Sequence, residues 1–177
     1  MARRVLVVLL VVAVAWLGFR AVRAFDQDRH AAEAAAVLSA PDRVTYQLPP
    51  APATAPAAGG QAPPPPGPGG RLSYRPGTWL SVVELERLEP VAGDEHYLVF
   101  LRNWAGWTLA GSTSRRADGT AQVRSGAEPR PPTIYEVIVT RAVDDATSVP
   151  HGQPVLQWFD ASLAPPKARR FDFARGA

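Results

Sequence analysis

IYEVIVTRAV, residues 134–143, is the stretch on which the fold turns. Its β-branched residues pack well on a pleated sheet and lose side-chain freedom in a helix, so the run reads as a strand. The same reading extends in both directions. HYLVFLR, residues 96–102, alternates Tyr97, Val99 and Leu101 on one face with Leu98 and Phe100 on the other. Apolar residues on both faces predict a central strand. TWLSVVELERL, residues 78–88, predicts another strand, and so does VLQWFD, residues 155–160, after a proline-bounded turn. Residues 107–114 and 120–125 flank Ala117-Asp118-Gly119, a turn sequence that predicts a hairpin between them. Six short strands with no amphipathic helix between them predict a small antiparallel sandwich or barrel over residues 71–163.

Outside this module the composition changes. Residues 47–70, QLPPAPATAPAAGGQAPPPPGPGG, hold nine prolines and no charge. Proline lacks the backbone donor and glycine is costly to order, so the run predicts a Pro/Ala/Gly-rich linker with no packed core. Fully extended it would reach roughly 70 Å, the length of a spacer. Residues 26–46 begin with DQDRHAAEAAAVLSA, whose alanines predict a helical neck. Asp26, His30 and Glu33 share a face there, and charges at that spacing ordinarily make a solvated surface rather than a metal site.

The N-terminal stretch MARRVLVVLLVVAVAWLGFRAVRAF has an uncharged run of fifteen residues from Val5 to Phe19, between Arg3-Arg4 and Arg20. Its length lies between a signal peptide's apolar region and a membrane span. Val22-Arg23-Ala24 would permit cleavage before Phe25, but Arg20 and Arg23 sit where a peptidase substrate is usually uncharged. As an anchor the same arginines extend their stems along hydrocarbon and their heads to phosphate, widening the span to residues 1–25. Trp16 and Phe19 then fall near the far interface, where amphipathic rings are favoured. The expected membrane-interface residues are therefore Arg3, Arg4, Trp16, Phe19, Arg20 and Arg23. Two arginines on a very short leading tail favour a cytoplasmic N-terminus and a periplasmic remainder.

Charge and chemistry narrow the function classes. The net charge is +3, and from residue 71 onward 13 basic residues face 12 acidic ones, so the β module lacks the basic stripe of a nucleic-acid binder. With no cysteine there is no disulfide, thiolate site or thiol nucleophile. Arginine- and alanine-rich usage with one lysine suggests a high-GC bacterial genome. Gly111-Ser112-Thr113-Ser114 lacks the G-x-S-x-G spacing, and His96 beside Asp94 and Glu95 puts neighbouring side chains on opposite strand faces. No His-x-x-x-His pair is present, and Gly67–Gly70 leads into no phosphate loop. The reading is non-enzymatic: no catalytic, cofactor-binding or metal-ligating residue is expected.

Asn103-Trp104-Ala105-Gly106-Trp107-Thr108 is the most unusual local run. One or both indoles fill the core, which a small domain with few large side chains favours, or the pair forms an exposed aromatic platform. In the second case Trp104 and Trp107 bind a partner. Phe171 and Phe173, in an extended basic tail over residues 164–177, are expected to dock on something as well. The layout is a mainly β C-terminal domain preceded by a single transmembrane α-helix and a Pro-rich linker. It resembles that of accessory subunits of large bacterial inner-membrane assemblies, whether bioenergetic (photosynthetic or respiratory) or secretion and envelope machines. The expected partners are other subunits of such a complex and the lipid bilayer. The alternative is an anchored periplasmic module that holds glycan or peptide on Trp104 and Trp107.

Overall fold

A computed structural model describes Trp16, Arg29 and residues 31–51, 67–75, 80–125, 133–144 and 147–173. Contacts divide the chain at Ala36 into a leading unit and a unit from Val37 to Ala177. In the leading unit Arg29 pairs with Glu33 one helical turn away, at 3.1 Å. Among the described residues no helix is long and apolar enough to cross a membrane. The expected anchor, with Arg3, Arg4, Phe19, Arg20 and Arg23, lies outside the described residues; Trp16 is helical and exposed.

The larger unit is mainly β. Its strands are β1 (Val44–Leu48), β2 (Gly69–Tyr74), β3 (Ser81–Glu86), β4 (His96–Asn103), β5 (Gly106–Thr113), β6 (Ala121–Ser125), β7 (Ile134–Ala142) and β8 (Gln153–Phe159). They form two four-stranded antiparallel sheets, sheet A in the order β1-β2-β3-β6 and sheet B in the order β5-β4-β7-β8. β4 and β7 are the inner strands of sheet B, the position that the two-sided apolarity of β4 predicts for it. Leu72, Val83, Leu85 and Val123 of sheet A meet Tyr97, Val99, Val137, Val139 and Leu156 of sheet B in the main core.

Both sides of the sandwich are stitched. On one side the chain leaving β1 pairs with β8: Pro50 bridges Leu156, and Ala51 N donates to Val155 O at 2.9 Å. Tyr46 of β1 packs on Trp158 of β8 at 4.5 Å between rings on the same side. On the other side Gly111 of β5 lies against Val123 of β6, where an added β-carbon would approach within 3.1 Å. Round the sandwich the strands therefore follow 1-2-3-6-5-4-7-8, which contains a Greek-key order. On the β1/β8 side this pairing occupies part of an outer ladder that another chain could otherwise use.

Three sequence expectations change. The helical neck drawn to residue 46 stops earlier: residues 31–39 are helical, and Val44–Leu48 is a strand. Its alternation, Val44, Tyr46 and Leu48 turned inward against exposed Thr45 and Gln47, is the ordinary period of a half-buried strand. The linker drawn over 47–70 has both ends in sheet A, because Leu48 pairs with Gly70 across one ladder. The proline-rich run thus leaves the sheet and returns to it rather than joining an anchor to a domain. Arg87 fixes the return by donating from Nε to Gly67 O at 2.9 Å. The β domain accordingly starts well before residue 71.

The hairpin expected around Ala117-Asp118-Gly119 is a turn, but its flanking strands lie in different sheets. Asp118 Oδ1 accepts from Thr120 N at 3.0 Å and from its hydroxyl at 2.7 Å, which reverses the chain. Leu88 N donates to Gly119 O, and Arg115 Nε donates to Leu88 O. These bonds hold the turn to the end of β3, and β6 completes the ladder there. Turn chemistry sets the reversal; the open ladder sets the partner.

Candidate functional site

The face of sheet B turned away from sheet A carries a second apolar cluster. Leu98 and Phe100 of β4 and Ile138 of β7 are fully buried in it, with Trp107 and Leu109 of β5 at its margin. Sheet A does not cover this face. Phe171 and Phe173 do, brought back by the segment that follows β8. Asp160 starts that segment: its N–H donates to Tyr135 O at 2.8 Å, and its carboxylate accepts from Ser162 N and Oγ at 2.9 and 2.6 Å.

A polar line crosses the same face. Register places Trp107, Arg102 and Glu136 side by side on β5, β4 and β7. Glu136 is completely buried, and Arg102 Nη1 donates to its Oε2 at 3.0 Å. The guanidinium also lies 5.1 Å from the centre of the Trp107 ring and 5.6 Å from that of Tyr135, where ring faces attract a cation. Gln157 of β8 donates from Nε2 to Glu136 Oε1 at 3.3 Å.

These three side chains hold the returning main chain. Phe171 N donates to Glu136 Oε1 at 2.7 Å, and Phe171 O accepts from Gln157 Nε2 at 2.9 Å. Arg102 Nη1 donates to Arg169 O at 3.0 Å. Phe171 stands edge-on to Trp107 at 5.5 Å and to Phe173 at 4.9 Å, the arrangement aromatic quadrupoles favour. The expected extended basic tail is therefore, over Arg169–Phe173, a strap on its own domain.

Trp104 sits apart from this cluster, at the tip of the β4–β5 hairpin. Asn103 Oδ1 accepts from Ala105 N at 2.9 Å and closes the tip. The indole is 65% exposed, and its Nε1 donates to Leu163 O at 3.0 Å. So the four residues expected to bind partners divide: Trp107, Phe171 and Phe173 assemble together, while Trp104 projects to solvent beside the strap's approach. Of the two rings, one or both of which were expected to fill the core, Trp107 packs against the buried cluster and Trp104 does not, because a two-residue hairpin loop leaves no interior at its tip. Arg102, Glu136 and Gln157 carried no motif. A charged pair at opposed strand positions was readable only once the register of β4 and β7 was known.

The Ser112–His96–Asp94 combination comes nearer than strand alternation suggested. Residues 93–96 and 112–114 line one open cleft of about 420 Å³. Within it His96 Nδ1 lies 3.1 Å from Asp94 O, while Nε2 is buried and makes no hydrogen bond. Among the described residues no serine hydroxyl is hydrogen-bonded to this imidazole. Among the described residues no three His, Asp or Glu side chains are grouped to hold a metal ion. Compared with family models, curated proteins and solved structures, the chain matches none of them.

Proposed function

We propose that the chain is a non-catalytic, single-pass accessory subunit of a multisubunit bacterial inner-membrane complex, with residues 1–25 as its anchor. The β domain docks on partner subunits on the periplasmic side. The observation that carries the reading is Trp104, a large indole 65% exposed on a hairpin tip and held by a hydrogen bond to Leu163. A rigid, exposed aromatic side chain fixed before binding loses little freedom on docking, and such anchors dominate interfaces. Bioenergetic assemblies and secretion or envelope machines both offer a suitable extramembrane surface.

With the proline-rich run returning to the sheet, residues 26–43 are the whole tether. The test is purification of the full-length chain from its native cells in mild detergent, with mass spectrometry of what accompanies it. The expected result is a defined set of membrane subunits, lost on Trp104→Ala while the circular dichroism spectrum is unchanged. A chain recovered alone and monomeric would defeat the proposal.

The rival reading, an anchored glycan- or peptide-binding module on Trp104 and Trp107, gains support for peptide rather than glycan. Trp107 already faces an aromatic side chain of the strap.

A further inference from the structure

We infer that the outer face of sheet B is a peptide-binding site. In the isolated chain the strap Arg169–Phe173 occupies it. The site takes in trans an extended segment of the same chemistry: an arginine followed at alternate positions by two aromatic side chains. The inference concerns the domain itself and stands whether or not the chain belongs to a membrane complex.

The argument begins with what covering the face requires. Leu98, Phe100 and Ile138 need only apolar cover, which Phe171 and Phe173 supply. Apolar residues at positions 102, 136 and 157 would serve that purpose as well or better, because removing a charge pair from water costs as much as the pair recovers. Instead a fully buried carboxylate, a guanidinium and a carboxamide stand there, and each addresses the main chain of the strap. Phe171 has both its N–H and its C=O bound, to Glu136 and Gln157, and the C=O of Arg169 two residues earlier is bound by Arg102. In an extended chain the N–H and C=O groups of alternate residues point to the same edge, so this spacing reads a strand-like backbone along one edge. Backbone bonds of this kind supply affinity in peptide recognition, and a pocket for alternate side chains supplies selectivity. Here the pocket is formed by Trp107 with Phe100 and Ile138, and is filled by Phe171 with Phe173 edge-on beside it.

Linkage along the chain explains why the site is closed at rest. A segment attached a few residues from its site is present there at an effective concentration on the order of millimolar. A free peptide of equal intrinsic affinity sees only the fraction of molecules whose strap has lifted, and its apparent affinity falls by that fraction. Weakening the strap without altering the sheet opens the site.

The test uses the full chain in detergent and a fluorescein-labelled synthetic peptide of residues 164–177, followed by fluorescence anisotropy. Phe171→Ala/Phe173→Ala keeps Trp107, Arg102, Glu136 and Gln157 and weakens only the strap. It is expected to bind the labelled peptide at least ten-fold more tightly than the wild-type chain does. The same peptide with both phenylalanines replaced by alanine is expected not to bind. A folded double variant, with a cooperative urea transition, that binds no more tightly than wild type overturns the inference; so does equal binding of the alanine peptide. Should the double variant not fold, Phe173→Ala alone removes only the outer ring, and an affinity no higher than that of wild type has the same force. Self-association of the double variant without peptide binding would assign the face to a second copy and likewise overturn it.

Discussion

At Gly70 a β-carbon would stand 2.7 Å from the carbonyl oxygen of Glu84, and 3.1 and 3.2 Å from the Leu85 and Leu156 side chains. The backbone of β2 is pressed against β3 and the core there, and only a residue without a side chain fits. Gly67, a few residues earlier, has its nearest neighbour at 3.7 Å, an ordinary contact. Gly70→Ala is therefore expected to lower the urea-denaturation stability by about 1–3 kcal/mol, as overpacking does. Gly67→Ala should change it by less than about 0.5 kcal/mol. Equal, negligible effects would return both glycines to a structureless spacer. The composition of residues 47–70 concealed this distinction, since a glycine required by close packing and one in a spacer look alike in sequence.

His151 poses a different residue-level question. Its Nδ1 lies 3.0 Å from Val149 O and its Nε2 2.6 Å from Asp144 O. Carbonyls only accept, so satisfying both requires a proton on each nitrogen. The Val149 carbonyl raises the imidazole above its ordinary value; partial burial opposes this, and the Asp144 carbonyl and charge reinforce it. A pKa raised by folding adds stability that is fully present below the unfolded value, near about 6.5, and is lost as pH rises through the higher folded one. The urea midpoint should thus fall between about pH 6 and about pH 8, and the fall should shrink in His151→Gln. An unchanged pH profile in that variant would remove His151 as the cause. The ring meets Phe100 edge-on at 5.6 Å, so its loop belongs to the cover of sheet B.

Among the elements, six strands were legible in advance: β3, β4, β7 and β8 from their apolar runs, and β5 and β6 from the turn sequence between them. β1 and β2 escaped notice because alanine-rich helix precedes one and a glycine pair opens the other. Leu72 of β2 tests them directly, since it is fully buried in the main core. Leu72→Ala should cost about 2–5 kcal/mol in thermal or urea unfolding, the range for a deleted core leucine. A substitution in a loosely attached strand at the margin of the domain would cost far less. The β5–β6 connection teaches a related point. Ala117-Asp118-Gly119 announces a reversal correctly, but ladder partners are chosen by which edges are open, and that is decided by strands distant in sequence. The strap escaped for the same reason: Phe171 and Phe173 looked unpartnered until sheet B had formed beneath them.

For the molecule as a whole, the mainly β antiparallel architecture was readable from periodicity, with sandwich and barrel both open, whereas its division into two sheets and its closure were not. Pro50 bridging Leu156 and Gly111 meeting Val123 join residues far apart in sequence, through atoms that carry no pattern. The proposed anchor belongs to this scale too. Leu9→Arg with Leu10→Arg places two guanidinium groups near the middle of the apolar run, at about 2.5–3.5 kcal/mol each on an insertion scale. The expected outcome is loss of the chain from the alkali-washed membrane fraction, while the β domain keeps its spectrum and its unfolding midpoint. Unaltered fractionation would show that this run does not hold the protein in lipid.

Because Leu48 and Gly70 face one another across a ladder, the proline-rich run begins and ends on the same wall of the sandwich. A protease that cuts once between residues 52 and 66 therefore releases nothing. The amino-terminal fragment keeps β1 hydrogen-bonded to β2 and sewn to β8, and the two pieces travel together until denaturant parts them. Shedding the domain from the anchor proposed above would instead need a cut before Val44, ahead of the first strand.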